Sequence, residues 1–383
     1  MWSEIILDPR EVPDKNLTDN TGDNIDGFVR RLAAIIHSDI KRAGHLFSFP
    51  LDLSSEFNDL RDEEKGFWLA FVAGIPAKLK AFRLLMRPYA TFCRTCLIPD
   101  SDIEKMAKGD YDQLRCRLKT NPFVPVDEPA LYSEPYHRIP SKRKAFFIEI
   151  NYLIPVVLKK VGYEIIRPEE ITEISDKFTH RLAKTIHSRY LHEIRKKSFI
   201  ETGSSSVSEL FTAGDPGSTA LHDFDDLSDD IKYSNIDNAY HIPTKLLSIG
   251  YKIKPVATGH RPLALHLSHD EIETMAVVEH LRWCWDKRLH GWVPGKTRNN
   301  EEKTHPGLVP YEKLPEAEKE KDRELVRLIP ALLKDIGYEV FPANPNLIRK
   351  LSYAIRPHSS IHSILVETRD LNEQVAAKLE ELE

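Results

Sequence analysis

The sequence predicts a mainly α-helical protein with minor β structure (α+β), built from four two-helix units that fall into two pairs. Three observations predict it. First, Leu60, Ile139, Leu227 and Leu314 each stand five positions before a lysine (Lys65, Lys144, Lys232, Lys319). Second, each lysine leads to an Ile-Pro pair, at Ile75-Pro76, Ile154-Pro155, Ile242-Pro243 and Ile329-Pro330, with a leucine three residues beyond the proline. Third, three copies end in Gly-Tyr followed by an apolar run ("GYEII", "GYKIK", "GYEVF"), whereas the first has Arg83-Leu84. A repeating frame is the signature of stacked supersecondary units. Each reads as a polar first turn, a helix, and a glycine that ends it before a short extended segment. Proline inside a helix costs on the order of 3 kcal/mol and kinks it, so the same kink four times makes a bent helix part of the packing scheme.

Taken in order, residues 1–23 read as a flexible N-terminal segment. The first pair spans 24–168, divided as 24–90 and 91–168, and the second spans 169–342, divided as 169–256 and 257–342. A second helix precedes each kinked one: "FVRRLAAIIHS" (Phe28 to Ser38) matches "FTHRLAKTIHS" (Phe178 to Ser188), and "DIEKMA" matches "EIETMA". This register places His37, Tyr111, His187 and His280 at one position. Ser101-Asp102 and Ser268 look like helix caps. "NPFVPVDEPALYSEP" (Asn121 to Pro135) and "ETGSSSVSELFTAGDPGS" (Glu201 to Ser218) read as loops between the helices of their units. Residues 343–383 read as a polar tail with an amphipathic helical pattern (Leu365, Leu371, Val375, Leu379, Leu382) that docks on the body or joins copies into a homo-oligomer.

Composition narrows the function. The 383 residues carry a net charge of −5, which excludes a broad basic surface for long nucleic acid and makes any anion site local. The start lacks the pattern of a secretory signal, and no apolar run approaches the roughly 20 residues of a membrane span. Four cysteines in a chain of this length are no disulfide framework. A cytoplasmic location is expected.

The fourth unit carries the chemistry. "EHLRWCWDKRLHGWVPG" (Glu279 to Gly295) sets three tryptophans among Arg282, Lys287, Arg288 and two histidines. With "THPGLVPYEKL" after it, this stretch resembles the RyR domain, the tandem-repeat module of the ryanodine receptor that is also found in bacterial proteins. The matching positions are His280, Trp283, Arg288, Gly291-Trp292, Gly295 and Pro306 to Tyr311, over about residues 268–342. The third unit keeps His187, Tyr190 and Arg195 at the same spacing, while Ile40 and Leu114 replace the aromatic in the first two. The resemblance implies two pseudo-twofold modules, each a pair of repeats. It also implies a regulatory rather than catalytic role in ligand sensing, including of nucleotides, in bacterial signalling or antiviral defence.

The residue types suit such a ligand. Aromatic faces stack on bases for about 1–3 kcal/mol each, and arginine grips phosphate in a bidentate way. The expected pocket lies between the third and fourth units, lined by Trp283, Arg288, Trp292 and Tyr311, with Tyr190 and Arg195 facing it and Arg282 alongside. Trp283 has a second reading as core, and His280 and His187 as structural hydrogen-bonding residues. Arg298, Lys303 and His305 lie in a charged loop that touches a phosphate or is plain surface. A protein effector as partner, and hence an interaction scaffold, is the alternative. "GWVPGKT" fails as a phosphate loop because only three residues separate its glycines. Cys93 and Cys96 form a lone CxxC without further ligands at zinc spacing. No nucleophile elbow, HExxH or GxGxxG is present. A non-enzyme without cofactor or metal is therefore expected.

Overall fold

The computed structural model of the chain describes residues 25–43, 53–89, 92–120, 133–167, 176–202, 221–257 and 265–343. The N-terminal segment 1–23, most of both inter-helix loops and the tail beyond Ala343 lie outside the described residues. In chain order the elements are α1 (Ile25–Ala43), α2 (Asp62–Ala81), β1 (Leu85–Pro88), α3 (Asp100–Thr120), α4 (Ser141–Lys160), β2 (Tyr163–Ile166), α5 (Asp176–Thr202), α6 (Asp229–Tyr240), α7 (Ile242–Ser248), β3 (Tyr251–Pro255), α8 (His269–Leu289), β4 (Val293–Pro294), β5 (Thr304–His305), α9 (Glu316–Arg327), α10 (Ile329–Asp335) and β6 (Tyr338–Pro342). The fold is mainly α with minor β. Among the described residues no helix is long and apolar enough to cross a membrane.

The chain divides into two compact units, one of residues 1–171 and 284–308, the other of 172–283 and 309–383. The division passes through α8, between Trp283 and Cys284. By this division 284–308, the end of α8 and the β4/β5 loop, groups with the first pair of repeats, while the rest of the fourth repeat groups with the third.

In the first unit α1 packs on α2 and α4, and α3 on α4. Leu32, Ile36 and Ile40, one helical turn apart, give α1 a fully buried stripe, and Trp68, Val72 and Ile75 of α2 and Phe146 and Ile150 of α4 are buried as well. Each such side chain contributes about 1.5–3 kcal/mol on burial. β1 and β2 pair antiparallel, Leu85 opposite Ile166 and Pro88 opposite Tyr163. In the second unit α5 packs on α6 and α10 around Leu182, Ile186, Met275, Val326, Ile329 and Leu333. β3 and β6 pair antiparallel with Ile253 opposite Val340. The strand that closes each odd repeat thus pairs with the strand closing the next.

The frame has a physical cause at each point. Before every second helix a single 3-10 turn buries an aromatic ring: Phe57, Tyr136, Phe224 and Tyr311. Lys144 and Lys319, two of the repeated lysines, lie 5.6 and 5.4 Å from the Tyr136 and Tyr311 rings. Pro76 and Pro155 sit inside continuous helices. In the third and fourth repeats the helix breaks instead, at His241 and Leu328, and the proline takes the second position of α7 or α10, where no N–H is required of it. Gly162, Gly250 and Gly337 then terminate their helices at φ +91°, +83° and +79°. The worn first copy keeps that left-handed turn with Arg83 at φ +55°, a conformation disfavoured for residues with a Cβ. Ser268 caps α8 in a reciprocal box with Glu271: the Glu271 N–H donates to its Oγ at 3.2 Å and the Ser268 N–H donates to Glu271 Oε2 at 2.8 Å. Ser101 and Asp102 lie inside the first turn of α3, which starts at Asp100.

Candidate ligand-binding site

The repeated His/Tyr position is built identically in three repeats. Tyr111 Oη donates to Glu134 O at 2.6 Å, His187 Nε2 to His222 O at 2.7 Å, and His280 Nε2 to Val309 O at 2.8 Å. Each acceptor stands two residues before the aromatic of the 3-10 turn, so the bond ties the first helix to the start of the second. In the first repeat Lys41 Nζ reaches the matching Ser55 carbonyl at 3.5 Å. There the buried His37 packs edge-on against Trp68 at 5.3 Å, and burial pulls its pKa down. Of the two readings of His187 and His280, this geometry is the structural one.

At the junction of the third and fourth repeats, inside the second unit, five charged or polar side chains are each 3% exposed or less: Asp237, His241, Lys245, Glu279 and Arg282. α6 and α7 set Asp237, His241 and Lys245 four residues apart on one face. Arg282 Nη1 donates to Asp237 Oδ2 at 3.0 Å, and its Nε and Nη2 donate to Glu279 at 3.0 and 2.7 Å. Lys245 pairs with Glu279 and donates to Asn238 Oδ1 at 2.6 Å. Burial alone would push Glu279 up, but Arg282 and Lys245 outweigh it and hold the carboxyl at about 2. Two cations face two anions, and the cluster is neutral.

Trp283 stands beside this network, half-buried, its indole stacked on His280 at 5.7 Å and 22°. The other nitrogen of His280 lies 3.3 Å from Asp322, whose carboxyl burial pushes upward. Tyr311 backs the histidine at 5.8 Å and is itself buried, its hydroxyl raised above its usual range by burial and by Glu273. His280, Arg282, Trp283 and Tyr311 therefore come together. Tyr190, 41% exposed, lies over His187 at 6.0 Å, and Arg195 is on an exposed turn of α5.

Arg288 and Trp292 belong to the first unit and take other partners. Arg288 is buried, pairs with Glu149 at 3.2 Å, and covers the Tyr152 ring with Cζ 3.6 Å from its centroid. Tyr152 in turn donates to Asp100 at 2.5 Å. The sequence suggests an Arg288 guanidinium open to ligand; the structure places it buried, with one N–H on Glu149 and its face on the Tyr152 ring. Trp285, 1% exposed, is the core indole of the three, donating to Ile98 O at 3.0 Å. Gly291 ends α8 at φ +81°, with Gly291 N bonded to Arg288 O and Trp292 N to Lys287 O, a Schellman cap. Trp292 lies between Lys287 and Arg298, 5.8 and 5.9 Å from its centroid, with its ring 6.1 Å from His305. Gly295 is fixed by close approach, since a Cβ there would meet Thr304 Cβ at 2.6 Å.

Sequence reasoning missed Asp237, Lys245, Glu279 and Asp322. One signal was present: Lys78 and Lys245 each follow an Ile-Pro by two residues, and Asp110 and Glu279 each precede the His/Tyr position. The first unit indeed repeats the pairing, Lys78 meeting Asp110 at 2.6 Å with Asn151 donating to Asp110 at 2.7 Å. There the matching place is a shallow hollow of about 30 Å³ over Phe67, Phe71, Leu114, Phe147 and Ile150. Counting from the same anchors, Leu114 corresponds to Trp283 and Gln113 to Arg282.

Among the described residues no group of three or more His, Cys, Asp or Glu side chains is placed to hold a metal ion. Residues 254–342 match the family model of the RyR domain.

Proposed function

We propose, from the RyR match over residues 254–342 and the geometry of the third–fourth repeat junction, that this protein is a non-catalytic sensor. Its ligand is a nucleotide or nucleotide-like metabolite whose base lies against Trp283. The observation that carries the reading is the half-buried indole at a position that, in the first pair, lines a shallow hollow, one helical turn along α8 from the buried Glu279. A junction built only for stability would favour apolar side chains, because replacing buried ion pairs with packed hydrophobics is commonly neutral or stabilising. Strongly shifted carboxyls gather at functional sites. A signalling or defence pathway suits such a sensor, with the bound state read by an oligomer or an effector.

The test is a thermal-shift screen of mono-, di- and cyclic nucleotides on the full chain. A ligand at 100 times its Kd stabilises the native state by about 2.7 kcal/mol, and the gain disappears in Trp283→Ala and persists in Trp292→Ala. A flat screen would overturn the reading. A scaffold function draws on one observation, the exposed Phe199 and Ile200 of α5, and would be favoured by a flat screen together with a purified, saturable protein partner.

A further inference from the structure

We infer that the overhanging end of α5 is a docking face for the acidic C-terminal segment of the same chain, Leu365–Glu383. α5 has 27 residues, whereas its counterparts α1, α3 and α8 have 19, 21 and 21. At 1.5 Å per residue, the excess over α3 carries it about 9 Å further. Core packing along α5 ends at Leu191, which is 4% exposed. Beyond it His192, Arg195 and Lys196 are exposed, with Phe199 at 61% and Ile200 at 72%. Their spacing of three and four residues puts them on one face. Helical turns held by their own hydrogen bonds alone are marginal in water, and two large apolar side chains side by side in solvent mark an interaction face. The face is basic at one end and apolar at the other.

The occupant is argued from chemistry and reach. Leu365–Glu383 contains six acidic residues and two basic ones, and Leu371, Val375, Leu379 and Leu382 recur at helical spacing. An apolar stripe with acidic flanks complements Phe199 and Ile200 flanked by His192, Arg195 and Lys196, the pattern by which amphipathic segments pair. The described residues end at Ala343, in the same unit as α5. The 22 positions from there to Leu365 span up to about 70 Å when extended, enough to reach the face within one chain.

The experiment compares hydrogen–deuterium exchange of the full chain with that of a chain ending at Ile364. Amides of residues 192–200 should exchange at least tenfold faster in the shortened chain, while those of α8 stay unchanged. A synthetic Leu365–Glu383 peptide added in trans should restore the protection, and Phe199→Asp/Ile200→Asp in the full chain should abolish it. Equal exchange in the two chains overturns the proposal. So does protection that grows with protein concentration, which would assign the face to a second copy.

Discussion

Replacing Glu279 with glutamine keeps the shape of the third–fourth repeat junction and removes one charge from its centre. Glu279 is 1% exposed and lies between Arg282 and Lys245. Its carboxyl is held at about 2 against an ordinary 4.5, although burial opposes this. At about 1.4 kcal/mol per tenfold, the ionised form gains on the order of 3 kcal/mol, within the roughly 3–5 kcal/mol expected when a buried pair is broken. For a unit of this size each kcal/mol shifts the melting temperature by about 2–4 °C, so Glu279→Gln should lower Tm by about 6–12 °C at pH 7 in scanning calorimetry. The pH dependence has a definite sign. A depressed carboxyl contributes fully above 4.5 and loses that contribution as pH falls toward about 2. Parent and variant should therefore converge between those values. A variant melting within about 2 °C of the parent at neutral pH, or a gap that widens in acid, would refute the assignment of the network.

Three further outcomes are expected. Arg83→Gly relieves the left-handed backbone at φ +55° and, after the added chain entropy of glycine, should stabilise the first unit by about 0.5–1 kcal/mol in urea unfolding; destabilisation would show the turn is unstrained. Gly295→Ala brings a Cβ to 2.6 Å from Thr304, so the pairing of Val293 with Thr304 should open and limited proteolysis should cut within 293–305, the parent staying intact. Trp285→Phe removes the bond to the Ile98 carbonyl and leaves a buried acceptor unpaired, which should cost about 1–3 kcal/mol; a neutral result in denaturant melts would contradict its place in the core.

The repeat frame was legible because its causes are local. The Ile-Pro pairs, the closing Gly-Tyr and the register of His187 with His280 each report a backbone need within a few residues of themselves. Arg288 shows where local reading stops. Its spacing from His280 marks it as a ligand contact, yet Glu149 and Tyr152, which hold it, stand more than a hundred positions earlier. The faces of α8 were equally hidden, since a run of Arg282, Trp283, Cys284 and Trp285 gives no amphipathic phase by which to tell Trp283 from Trp285. Lys245 was passed over for a related reason: a lysine after Ile-Pro reads as solvated until Glu279, on another repeat, is seen to cover it.

The most direct test of the central claim is saturation-transfer NMR between the full chain and adenosine 5′-monophosphate. Transfer to the base protons is predicted for the parent and for Trp292→Ala, and its disappearance in a folded Trp283→Ala. Undiminished transfer in Trp283→Ala would contradict a base-stacking site at the third–fourth repeat junction.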